Sequence, residues 1–128
     1  MKTVKQLAIP TADKPGTLSK IVDMLSGGGV NIIALAISES LDRGIIRLVV
    51  DKPEVASKIL SPEYEIREAE VLQVEMPNRP GSLASVASRL GAANINIEYI
   101  YASTGDEGKQ TTVIIKVPDI KKAMEVLA

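Results

Sequence analysis

Two short runs carry the residue types best suited to hold a small charged molecule. Asp13-Lys14-Pro15-Gly16-Thr17-Leu18 and Asn78-Arg79-Pro80-Gly81-Ser82-Leu83 each combine a side-chain oxygen acceptor, a cation, a Pro-Gly corner and a hydroxyl. Further along each half stands an asparagine followed by isoleucine, Asn31-Ile32 and Asn96-Ile97. A helix that starts at such a corner has first N–H groups without partners, and its dipole favours an anion such as a carboxylate. Gly16 and Gly81 carry no Cβ, so a ligand can approach the backbone closely. Asn31 and Asn96 each offer a donor and an acceptor. Donors for a carboxylate and acceptors for an ammonium are what a free amino acid needs. The candidate ligand-binding set is therefore Asp13, Lys14, Gly16, Thr17, Leu18, Asn31 and Ile32 in the first half. In the second it is Asn78, Arg79, Gly81, Ser82, Leu83, Asn96 and Ile97. The plainer reading is turn chemistry, with Asp13 and Asn78 as Asx-turn or capping residues, the glycines serving the turn and the asparagines ending a loop.

Composition narrows the chemistry further. The 128 residues include no Cys and no His, which removes thiol nucleophiles, disulfides, imidazole bases and most transition-metal sites. No D-x-D-x-D-G loop offers a carboxylate cage for Mg²⁺ or Ca²⁺. No Ser-x-x-Lys, G-x-S-x-G or P-loop motif is present, so no catalytic residue, metal ligand or cofactor site is assigned. The net charge of −1 is spread without a basic block, and three tyrosines stand without Phe or Trp. Both features argue against nucleic acid as a partner. No apolar run reaches 18 residues, and Met1-Lys2-Thr3-Val4-Lys5 leads into no signal-type segment. The expectation is a cytoplasmic protein without a membrane partner.

The elements that position these residues occur twice. The second corner follows the first at an offset of 65, and the same offset pairs Leu25 with Leu90, Asn31-Ile32 with Asn96-Ile97, Ser38 with Ser103 and Pro53 with Pro118. Continued without a gap, it also pairs Leu48 with Val113 and Val55 with Ile120. Each half begins with an alternating strand, of which Leu72, Val74 and Met76 are the clearer case. A helix follows the corner, with apolar residues at Leu18, Ile21, Val22, Leu25 and at Leu83, Val86, Ala87, Leu90. It stops at Gly27-Gly28-Gly29 in one half and around Ala92-Ala93-Asn94 in the other. A second strand is expected from about Val30 to Ser38 and from Ile95 to Ser103, then a turn (Leu41-Asp42-Arg43-Gly44; Thr104 to Gly108). A third strand covers Ile45 to Val50 and Thr111 to Val117. Short second helices start at Pro53 and Pro118, with Val55, Ile59, Leu60 and Ile120, Met124, Leu127 facing inward.

The order β-α-β-β-α-β predicts an α+β protein of two tandem ferredoxin-like domains, residues 1–70 and 71–128, each an antiparallel sheet with both helices on one face. The first copy closes with a strand near Tyr64 to Glu70. The second ends at Ala128 with no fourth strand of its own, so an element from the other copy or another chain is expected to cover that edge. Tyr99 and Tyr101 share one face of a strand, where they either line a ligand cavity or pack against a partner sheet, the second being the favoured expectation.

At D-K-P-G-T-L…G-V-N-I and N-R-P-G-S-L…N-I-N-I the chain resembles the ACT domain family, as two tandem domains over almost its whole length. The resemblance implies a ferredoxin-like fold and a non-enzymatic regulatory role. It also implies an amino acid or related small metabolite bound where paired domains meet. It carries ligand contact onto Asp13, Asn78, Asn31 and Asn96. The expected partners are thus a free amino acid, a second copy in a homodimer and a metabolic enzyme that receives the signal. The competing expectation is a protein-interaction subunit of such an enzyme with no ligand of its own.

Overall fold

The computed structural model describes residues 1–12, 14–40 and 43–128. Its elements run β1 (Lys2–Ala12), α1 (Thr17–Gly27), β2 (Ile32–Ser40), β3 (Arg43–Val50), α2 (Pro53–Leu60) and β4 (Arg67–Pro77). There follow α3 (Ser82–Ala92), β5 (Tyr99–Thr104), β6 (Gln110–Lys116) and α4 (Ile120–Leu127). The chain forms two compact units. Module one is Lys5–Ala69; module two is Met1–Val4 together with Glu70–Ala128. The division falls at Glu70, beside the expected boundary between residues 70 and 71, and the first four residues go with the second unit.

In module one the strand order is β2-β3-β1-β4. The antiparallel register sets Leu7 opposite Leu48 and Ile9 opposite Ile46. Alternation along these strands sends Leu7, Ile9, Ile46, Leu48 and Val50 to one side. There they meet Ile21 and Leu25 of α1 and Ala56 and Leu60 of α2, at the i, i+4 spacing of an inward helix stripe. In module two, Leu72, Val74, Met76, Val113, Ile115 and Val117 meet Leu90 of α3 and Ala123 of α4 in the same way.

Module two has the order β1-β4-β6-β5. Lys2–Val4, the first residues of β1, belong to this unit and lie where its fourth strand would run. The edge expected to be open is thus covered from within the chain, by residues 63 or more positions away from β4, the strand they flank.

The registers correct the uniform offset. Pro10 faces Ile45 in module one, and Glu75 faces Thr112 in module two. The strands before the hairpin correspond at 65, but those after it correspond at 67. Between equivalent pairs, Thr104–Thr111 and Glu39–Gly44, the second hairpin is two residues longer than the first. Leu48 therefore matches Ile115, and Ala56 matches Ala123; both alanines are fully buried. Pro53 opens α2, whereas Pro118 precedes Asp119, whose Oδ1 accepts from Lys122 N–H at 3.1 Å as a side-chain cap. Val55, expected to face inward, is 41% exposed, because Ala56 holds the inward place.

Strand limits also shift. β2 starts at Ile32 rather than Val30, with a register irregularity before Ala34, and β5 starts at Tyr99 rather than Ile95. The reason is the helix exit. Val30 N–H donates to Leu25 O and Ile95 N–H to Leu90 O, both at 2.9 Å, so these residues still complete the helix end. The chain turns there through Gly29 (φ 74°) and Asn94 (φ 59°), the two residue types that most readily take the left-handed conformation. Of the first expected turn, Leu41 and Asp42 lie outside the described residues.

Candidate functional site

The corner of module two is built by hydrogen bonds from Asn78. β4 ends at Pro77, paired with Gln110. Asn78 N–H donates to Lys109 O at 2.6 Å, and its carbonyl accepts from Gly108 N–H at 2.8 Å. Its side-chain Nδ2 donates to Gly105 O at 2.9 Å. Asn78 thereby ties the corner to the long β5–β6 hairpin, and Oδ1 is the end of the amide left for a ligand. Gly81, at φ 92°, is the residue before α3, and no side chain caps the helix. Glycine is favoured by this backbone whatever binds nearby. Ser82 N–H donates to Arg79 O at 3.3 Å, so the first-turn N–H groups of α3 open to an anion are those of Leu83 and Ala84.

Beside this corner lies a cavity of about 330 Å³ within module two. Asn78, Arg79, Ser82 and Thr104 supply its polar lining; Met76, Leu83, Ile100, Ala102 and Val113 supply apolar walls. The walls are contributed by α3, β4, β5 and β6, because the antiparallel ladder brings Ala102 opposite Val113 and Thr104 opposite Thr111. Leu83 and Ile100 are 49% and 40% exposed, so the apolar lining reaches the surface. Thr111 lies in the lining at 6% exposure, and among the described residues its Oγ1 has no hydrogen-bond partner. A buried hydroxyl without a partner is costly and infrequent. The other such oxygen, Gln73 Oε1, is not part of the lining. Among the described residues the lining contains one cation, Arg79, and no carboxylate.

The corner of module one differs. Lys14, Gly16 and Thr17 border a cavity of about 400 Å³ with Pro10, Lys20 and Tyr64. Thr17 Oγ1 lies 3.2 Å from Lys14 O and 3.3 Å from Ala12 O, so its hydroxyl donates to the loop itself. Lys20 is ion-paired with Glu63, whose hydrogen bond raises the lysine pKa above 10.5. Leu18 packs against the core, not into this cavity. Asp13 lies outside the described residues.

The two asparagines stand at the far end of their own modules. Asn31 N–H donates to Asp51 Oδ1 at 2.9 Å and Asn31 O accepts from Asp51 N–H at 3.0 Å, beside the Ile32–Val50 pair. The corner lies beyond Ala12, which faces Arg43 at the other end of β3. Seven strand steps separate the two ends, about 23 Å. Asn96 is likewise exposed near Glu98, whose N–H donates to Lys116 O, at the opposite end of β6 from Gln110. Ile97 packs against the core of module two. The structure thus gathers Asn78, Arg79, Ser82 and Leu83, with Gly81 adjoining, and leaves Asn31, Ile32, Asn96 and Ile97 apart from the corner of their own module.

Sequence reasoning missed Thr111, Ala102, Ile100 and Val113. Each reads as an ordinary strand residue, and only the ladder reveals that they share a face with the corner. Tyr99 and Tyr101 stack with ring centroids 6.4 Å apart and planes inclined by 17°. Tyr101 also borders the cavity. Among the described residues no cluster of three or more metal-ligating side chains occurs, and no helix is long and apolar enough to cross a membrane.

The family model described as an ACT domain pair matches residues 2–128. A crystal structure of a protein from Bacteroides thetaiotaomicron shares 33% identity and a TM-score of 0.89, covering 98% of this chain and 86% of that one. The regulatory subunit of aspartate kinase from Thermus thermophilus, in a ligand-free form, aligns at a TM-score of 0.70 and 16% identity, over 99% and 95% of the two chains. Its counterpart from Thermus flavus aligns at 0.64 and 18%, over 96% and 87%. None of the curated proteins compared matches the sequence. The chain belongs to the ACT domain family as a tandem pair of ferredoxin-like domains.

Proposed function

We propose that this protein is a non-catalytic regulatory module that binds a free amino acid at the Pro-Gly corner of module two. The observation that carries this reading is the cavity there, which joins an uncapped helix start, Arg79, the Asn78 amide and a buried, unpartnered Thr111 hydroxyl to apolar walls. Arg79 and the first turn of α3 suit a carboxylate. Asn78 Oδ1 suits an ammonium. The size is at the lower end for small-molecule pockets, roughly 300–1,000 Å³, which fits a metabolite of amino-acid scale. Sharing a fold with regulatory subunits of aspartate kinase supports a regulatory role, with a metabolic enzyme in the cytoplasm receiving the signal. Asn31 and Asn96 stand too far from their own corners to join a site there, so another module, of this chain or of a second copy in a homodimer, would have to receive them.

A ligand shifts an assembly equilibrium only by its differential affinity for the two states. It also stabilises the folded chain, by about 2.7 kcal/mol at a hundredfold excess over Kd. A thermal-shift panel of the free amino acids is expected to give one class of hits of roughly 3–6 °C. Asn78→Ala is expected to remove the hit. A flat panel would sink the proposal.

A second reading has its own observation. Leu35 and Ile37 are 40% and 53% exposed on β2, an edge strand of module one. Such an edge suits docking to an enzyme subunit without any ligand. It predicts co-purification with that enzyme and no thermal shift.

A further inference from the structure

The two corners are homologous, but the residues around them are not equivalent. With an offset of 65 before the hairpin and 67 after it, Thr111 corresponds to Gly44, Ala102 to Ile37 and Val113 to Ile46. Module one has, beside Gly44, the half-buried hydroxyl of Thr11 in place of the buried Thr111, and it carries a larger side chain, Ile37, where module two keeps a methyl group. Among the described residues, its own corner cavity takes no lining from β2 or β3, and the adjoining cavity at Pro10, Thr11 and Ala12 takes only Arg43.

We infer that the chain takes one ligand, in module two alone, and that this ligand is an amino acid whose uncharged side chain ends in a neutral hydrogen-bonding group that meets Thr111 Oγ1. The inference rests on the amino-acid reading above and deepens it. With no carboxylate in the lining, a cationic side chain finds no partner. With one arginine, already matched to the ligand's carboxylate, an anionic side chain finds none either. Met76, Leu83, Ile100 and Val113 suit an apolar stem. The Thr111 hydroxyl, 6% exposed and unpartnered among the described residues, is left unsatisfied by a purely hydrocarbon tip. Sites that hydrogen-bond a ligand hydroxyl reject the analogue lacking it, because their own polar group is then stranded.

The test is calorimetric titration of the full chain with threonine against valine and tyrosine against phenylalanine, isosteric pairs that differ in one hydroxyl, and with lysine and aspartate. The expected result is one ligand per chain. The hydroxylated member of the pair that fits should bind at least about tenfold tighter than its analogue. Thr111→Val, which keeps the shape, is expected to erase that preference. Ala102→Ile, which installs the module-one residue, is expected to abolish binding, and Ile37→Ala to leave it unchanged. Two ligands per chain, tightest binding of lysine or aspartate, or a preference that survives Thr111→Val would each overturn this inference. The amino-acid reading outlives those outcomes if Asn78→Ala still removes binding. If no amino acid binds the wild-type chain, both fall.

Discussion

The two modules share a core and part company at the corner. In each, five buried strand residues meet a fully buried leucine of the first helix, Leu25 or Leu90, and a fully buried alanine of the second, Ala56 or Ala123. Even the differences compensate. A Cβ built on Gly28 would overlap Ile59 Cδ1, whereas the corresponding positions in module two hold Ala93 and Val126, both packed against the core. A methyl group has moved across the helix pair with the total volume kept, as close packing demands. At the corner no such conservation holds. Thr111 replaces glycine, Ala102 replaces isoleucine and the hairpin gains two residues. After duplication, packing constrained the interior of both copies, while the corners were free to diverge into one cavity with a buried hydroxyl among apolar walls and one lined by Thr11, Lys14, Thr17 and Lys20.

The comparison can be broken or sharpened by substitution. The largest effect belongs to Leu25→Ala and Leu90→Ala, each expected to cost about 2–5 kcal/mol in denaturant unfolding. Unequal losses would mean that the two cores are not alike. Gly28→Ala should cost about 1–3 kcal/mol through overpacking, most of it restored by adding Ile59→Val. If Ile59→Val restores nothing, the volume exchange is coincidental. Val4→Pro removes one strand donor from Lys2–Val4, expected to cost about 1–3 kcal/mol. Amide exchange should then rise first in β4 and β6, the strands of module two nearest that segment. A rise confined to β2 and β3 would contradict the assignment of residues 1–4.

The smallest effect concerns exposed charge, and it belongs to module one. Lys5 Nζ lies 3.1 Å from Glu54 and 3.4 Å from Glu68. Its hydrogen bond to Glu54 holds the Glu54 carboxyl below its ordinary 4.5 and raises Lys5 above 10.5. A depressed carboxylate stabilises the fold above its unfolded pKa, and that contribution is lost as pH falls through the folded value. The Lys5 contribution is present below 10.5 and lost as pH rises through its raised value. Both groups are solvent-exposed, so salt and water keep the effect small. Glu54→Gln should lower Tm slightly at neutral pH, and the gap from wild type should close in acid below the carboxylate range. A gap that persists there would assign the loss to packing.

Much of the fold was legible because it rests on local pattern. Leu18, Ile21 and Leu25 mark a helix face by spacing alone, and Gly29 and Asn94 mark its exit by conformational preference. The Pro-Gly corners were legible as helix starts, and the duplication pointed to them twice. The two-residue insertion was hidden for a physical reason. Strand side chains alternate with period two, so a slip of two leaves every residue on its correct face, and Leu48 matches Val113 as plausibly as Ile115. Thr111 was hidden because a threonine in a strand is commonplace. Asn31 and Asn96 seemed near the corners because chain distance says nothing about which end of a sheet a strand begins at.

Taken alone, the order of residues determined the elements, the repeat, the helix faces and the four corner residues Asn78, Arg79, Ser82 and Leu83 that border the cavity. All of these follow from interactions within a few positions along the chain. Only the tertiary structure decided that Met1–Val4 belongs with the second module, that the asparagines sit at the far end, and that Thr111 and Ala102 distinguish one corner from the other. Those outcomes depend on strand register and pairing between distant segments, which hydrogen bonds across the sheet set and local patterning does not encode.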